Sequence, residues 1–124
     1  VDLSMSVATW FRGRLEFRDA DAIARAKQEL ASDGCDRHED NAIEESDLVW
    51  AGTVLTIDRR GWMPYSCFQI SSHVLATYAE HASRGDIVAL NVEDGYGERI
   101  VAGGESDELD EDEVEALRRE HGWE

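Results

Sequence analysis

Along residues 7–18 the apolar side chains Val7, Phe11, Leu15 and Phe17 fall on odd positions, and Arg12, Arg14, Glu16 and Arg18 alternate with them. This two-residue period predicts a half-buried β-strand. The period changes at Asp19, which is placed to cap a helix running to Ser32, with Ile23, Ala26 and Leu30 on one face and Gly34 to end it. Residues 35–47 show neither period and read as an acidic loop. In 48–58 apolar residues occupy both parities, Val49, Leu55 and Ile57 on one and Leu48, Trp50 and Val54 on the other. That pattern predicts a strand buried on both faces over part of its length. Arg59-Arg60-Gly61 is expected to turn the chain into a further strand at 62–70, weakened by Pro64, which cannot donate to a ladder. Ser71 or Ser72 can cap a second helix with Val74, Leu75, Tyr78 and Ala82 on its apolar side, ending near Arg84-Gly85. Residues 87–92 predict a short buried strand, and Asp94-Gly95 a tight hairpin into a strand at 96–102.

The last twenty residues resemble a disordered acidic tail until their order is examined. Asp110 and Glu113 have the spacing of a capping box, and Leu109 can staple to Val114 across the first helical turn. Acids crowd the start, Arg118 and Arg119 lie near the end, and Gly122 stands where a C-terminal cap belongs. A short helix follows, with Val114 and Leu117 as its apolar stripe. The element order β-α-β-β-α-β-β-α predicts an α+β fold, an antiparallel sheet of about five strands with two helices on one face in ferredoxin-like order, plus a short acidic C-terminal helix. Residues 5–104 are expected to form one domain and 105–124 the helix docked on or extending from it. Val1 to Ser4 read as a remnant ahead of Met5.

Composition narrows the class. The chain has 124 residues, 42% hydrophobic, with tryptophans at 10, 50, 62 and 123, enough apolar bulk for a packed core. No run nears the roughly 18 apolar residues of a membrane span, and no charged-then-apolar leader opens the chain, so a cytoplasmic location and no membrane partner are expected. Cys35 and Cys67 lack metal-ligand spacing and are expected as free thiols. Asp and Glu number 28 against 12 Lys and Arg, a formal net charge of -16. Such a charge repels nucleic acid and attracts basic partners. Arg12, Arg14 and Arg18 share one parity and Arg59-Arg60 lies nearby; on a chain of opposite net sign they read as internal counter-charge.

Candidate chemistry is sparse. Cys35 and His38 offer two soft ligands, too few for a zinc site. Cys67 and His73 lack the local signatures of cysteine hydrolases, and Tyr78, Glu80 and His81 read as a solvated rim beside an apolar helical stripe. Asp94-Gly95-Tyr96-Gly97 and Gly103-Gly104 lack the strand-to-helix setting of a phosphate loop, and the C-terminal acids lack the spacing of a calcium loop. No catalytic residue, metal ligand or cofactor is therefore assigned. Trp10, with Trp62 or Trp123, can mark an apolar contact patch.

The charge is uneven. Residues 35–47 carry 6 acids and 1 base, and residues 105–124 carry 10 acids and 2 bases, so these two segments hold -13 of the -16. They point to an interaction protein that covers a basic partner, as a nuclease inhibitor, an immunity protein or an adaptor does. The expected contact residues are Glu105, Asp107, Glu108, Asp110, Glu111, Asp112, Glu113 and Glu115, with Asp36, Glu39, Asp40, Glu44 and Glu45. Two alternatives remain: a small enzyme or ligand-binding domain whose site is assembled in space, and an accessory domain whose acidity reflects a saline habitat.

Overall fold

Local chemistry accounts for the first two elements. The computed structural model describes residues 6–33, 43, 45–92 and 95–120. Strand β1 (Ser6–Glu16) turns the fully buried Phe11 and Leu15 to one face. Helix α1 (Ala20–Asp33) starts where the Asp19 carboxylate accepts the Ala22 N–H at 2.9 Å, and it buries Ala22, Ala26 and Leu30. Of the acidic loop that follows, a single 3-10 turn at Glu45–Asp47 is described. Gly34, at the expected end of α1, lies outside the described residues.

The next hairpin departs from the sequence expectation. Strand β2 (Val49–Ala51) turns at Gly52-Thr53 into β3 (Val54–Pro64), so Arg59, Arg60 and Gly61 lie within a strand, opposite Phe11, Trp10 and Thr9 of β1. The two-residue turn explains the mixed parity of this stretch. Trp50 pairs with Leu55 across it, an even position opposite an odd one, so both side chains enter the same core although their numbering parity differs. Gly52, at φ +62°, supplies the left-handed position the turn requires.

No strand spans 65–70. Helix α2 (Tyr65–His81) begins directly after Pro64, whose extended backbone (φ -58°, ψ 148°) ends β3 and which makes no side-chain capping bond. A search for a hydroxyl cap therefore places the start two turns late. Ser71 is buried within the helix, where its hydroxyl oxygen accepts the Ile43 N–H at 3.0 Å.

Strands β4 (Arg84–Asn91) and β5 (Tyr96–Val101) follow, then a turn through Gly103 and Gly104 leads into β6 (Glu105–Leu109). This sixth strand falls inside the segment expected to be helix alone. Its first four residues are exposed and acidic or polar, so it carries no hydrophobic alternation, and its place in the sheet comes from backbone pairing with β5. Helix α3 (Glu111–Glu120) has the expected capping box: the Asp110 carboxylate accepts the Glu113 N–H at 2.8 Å, and Glu113 accepts the Asp110 N–H at 3.3 Å.

The six strands run β2-β3-β1-β4-β5-β6, every pair antiparallel. The first four strands with α1 and α2 form the ferredoxin-like β-α-β-β-α-β arrangement, and β5 and β6 extend it beyond β4. Alternate residues divide the apolar positions between the two sheet faces. Phe11, Leu15, Leu55, Ile57, Ile87, Ala89 and Ile100 pack with Ala26, Leu30, Phe68, Leu75 and Tyr78 of α1 and α2. Ala8, Trp10, Leu90 and Leu109, of the other parity, pack with Val114 of α3. The C-terminal helix thus closes a second, smaller core on the face opposite α1 and α2. Gly97 permits its close approach, since a Cβ there would stand 2.5 Å from Leu90 Cδ2 and 3.3 Å from Leu109 and Val114. Among the described residues no helix is long and apolar enough to cross a membrane.

Candidate functional site

Two places collect chemistry-bearing side chains. The first is the acidic edge of the sheet. β6 is the outermost strand, and Glu105, Ser106, Asp107 and Glu108 are all exposed along it. Side chains alternate across a strand, so Glu105 and Asp107 share the face of α3 while Glu108 shares the opposite one with Tyr96 and Glu98 of β5. Asp110, Glu111, Asp112 and Glu113 continue the charge round the first turn of α3, all exposed. Helix-start chemistry absorbs some of them: Asp110 and Glu113 cap, and acids in a first turn complement the helix dipole. The described ion pairs of the segment belong to Glu115, with Arg118 at 3.1 Å and Arg119 at 3.3 Å. A shallow cleft of about 330 Å³ between Val92, Gly95 and the helix is rimmed by Glu111, Asp112, Glu115 and Arg118.

The field of this edge is felt by Tyr96. Its phenol is pushed above the ordinary value, first by burial and then by the negative charges of Glu98 and Glu108. Of the expected partner-binding acids, the structure brings together Glu105, Asp107, Glu108, Asp110, Glu111, Asp112, Glu113 and Glu115. Asp36, Glu39, Asp40 and Glu44 lie outside the described residues, and Glu45 is described only in its backbone.

The second place is the seam between α1 and α2. Glu29 of α1 meets Glu80 and His81 in the last turn of α2, one ligand atom from each lying within 4.8 Å of the others. His81 Nε2 is 3.5 Å from Glu29 Oε1, close enough for an ion pair but without hydrogen-bond geometry, and that nitrogen is buried from solvent. Beside it opens a cleft of about 280 Å³ lined by Glu29, His73, Thr77, Glu80 and the Gly103-Gly104 turn. The turn is fixed there because the Gly103 N–H donates to the Ala79 carbonyl at 2.8 Å. Sequence reading singled out Glu80 and His81 as neighbours. It had no signal for Glu29, which lies in another helix and joins them only through the packing of α1 on α2.

The remaining candidates disperse. Cys67 is buried, and His73, six positions on, lies about 120° round the helix from it. Cys35, His38, His121 and Trp123 lie outside the described residues. Trp10 is 2% exposed: its indole N–H donates to Asp58 at 2.9 Å, and the guanidinium groups of Arg60 and Arg12 lie 4.8 and 5.6 Å from its ring. Arg59 pairs with Asp47 at 3.3 Å, Arg14 with Glu16 at 3.8 Å and Arg99 with Asp86 at 2.6 Å. These arginines brace the sheet and its adjoining turn. Trp62 stays 62% exposed. No protein-family model matches the chain, and no curated protein or solved structure matches it either.

Proposed function

We propose that this protein binds a basic protein partner across the edge formed by β6 and α3, in the role of an inhibitor, an immunity protein or an adaptor. The observation that carries this reading is placement. Eight of the chain's acids lie between Glu105 and Glu115, and the fold sets that stretch along the outer strand of the sheet and the first turn of the helix beside it. A concentrated anionic edge speeds encounter with a cationic surface and rejects anionic competitors. The open backbone edge of β6 adds main-chain hydrogen-bond groups that an extended partner segment can pair with. The same acids discourage β6 from pairing with another copy of itself.

The alternatives have weaker physical support. An enzyme or ligand-binding domain calls for a pocket that encloses its ligand; among the described residues, the clefts of about 330 and 280 Å³ are both open to solvent. Saline adaptation spreads acids over every exposed face, whereas residues 1–34 and 48–104 together carry a net of only -3.

The test is a pull-down from the source lysate with the full chain, at about 50 mM and about 500 mM salt, where screening differs strongly. A variant carrying Glu105→Gln, Asp107→Asn, Glu108→Gln, Glu111→Gln and Asp112→Asn is compared with Asp21→Asn, an exposed acid of α1. Capture that falls at high salt, is lost in the five-fold variant and survives Asp21→Asn is the expected result. Capture indifferent to salt or to the five substitutions overturns the reading.

A further inference from the structure

We propose that Glu29, Glu80 and His81 form a binding site for a first-row divalent cation of the zinc class, separate from the acidic edge. Two carboxylates and one imidazole are a ligand set suited to such ions, and the imidazole favours them over calcium or magnesium. The geometry is nearly assembled. Ligand atoms on a tetrahedral ion with bonds of about 2.1 Å stand about 3.4 Å apart. His81 Nε2 and Glu29 Oε1 are already 3.5 Å apart, and all three donors lie within 4.8 Å of one another. Glu80 is exposed, so its carboxylate is the ligand with most freedom to adjust to an ion.

The state of these side chains and of their surroundings favours a cation there. His81 Nε2 is buried and, although 3.5 Å from Glu29 Oε1, makes no hydrogen bond, so a metal ion between the two would satisfy it. Both α2 ligands stand in the helix's last turn, where the macrodipole is negative. The adjoining cleft, walled by His73, Thr77 and Gly104, has room for water molecules to fill the remaining coordination positions. The position is also braced on three sides, by α1, by α2 and by the β5–β6 turn that hydrogen-bonds to Ala79. Two glutamates held close to each other repel, and one divalent ion removes that repulsion.

Calorimetric titration of the full chain with zinc chloride tests the site. Wild type is expected to bind one ion per chain, with an accompanying rise in Tm. Glu80→Gln, at an exposed position that leaves the fold intact, and His81→Gln are each expected to weaken binding at least about tenfold, in line with the loss of a ligand. Cys35→Ser and the five-fold edge variant are expected to bind as wild type does. Absence of binding overturns the assignment. So does binding unchanged in Glu80→Gln, or binding abolished by Cys35→Ser or by neutralising the acidic edge.

Discussion

Tyr96 reports the charge of the acidic edge from within the fold. Burial raises its phenol above the ordinary value of 10.0, and Glu98 and Glu108 raise it further. The folded state therefore holds this proton more tightly than the unfolded chain. The stability it contributes is fully present below about pH 10 and is lost as pH rises through the raised folded value. In an ultraviolet titration, with Tyr96→Phe used to assign the signal, Tyr96 should ionise above a free tyrosine. Glu98→Gln with Glu108→Gln should lower its midpoint while leaving it raised, because burial is the larger cause. A wild-type midpoint at or below the ordinary value contradicts this placement. Single-residue chemistry was legible in the sequence where partners are local. Asp19 and the Asp110–Glu113 box declared their helix starts because each cap reaches only three residues ahead. The partners of Trp10 were not legible, since Asp58 and Arg60 reach it only through the pairing of β1 with β3.

At the scale of elements, hydrophobic period served well wherever one face of an element is buried. α1 follows its pattern closely, and β4 and β5 nearly so; β1 does from Phe11 onward, while its start, expected to be half-buried, buries Ala8 and Trp10 on the other face under α3. It failed where backbone geometry rather than side-chain burial decides the structure. The Gly52-Thr53 hairpin flips parity within one apolar stretch, which imitates a strand buried on both faces. Pro64 starts a helix without a polar cap, and β6 joins the sheet with Leu109 as its one buried side chain. That Leu109, stapled to Val114 over Gly97, is what draws α3 onto the sheet. Gly97→Val fills the space in which they meet and should cost about 1–3 kcal/mol, the usual penalty of overpacking. Urea unfolding followed by tryptophan fluorescence measures it. A substitution without cost would mean that α3 does not pack closely over β5.

For the whole molecule, the excess charge belongs mainly to two segments of an otherwise nearly neutral chain. Folding gives one of them a definite shape, an outer strand continuous with the first turn of a helix. The sequence alone made the acids visible, but an acid-rich stretch with no alternation does not reveal that half of it is sheet edge. The Glu29–Glu80–His81 cluster was hidden for the opposite reason, being distributed over two helices about fifty residues apart in the chain and joined only by the packing of α1 on α2. Hydrogen exchange of the full chain, with and without its captured basic partner, shows whether the β6–α3 edge is a recognition surface. Exchange should slow along β6 and at the start of α3, with β2 and the exposed outer face of α1 unchanged. Protection concentrated on β2, around Trp62 or on α1, with β6 exchanging as in the free protein, would contradict it.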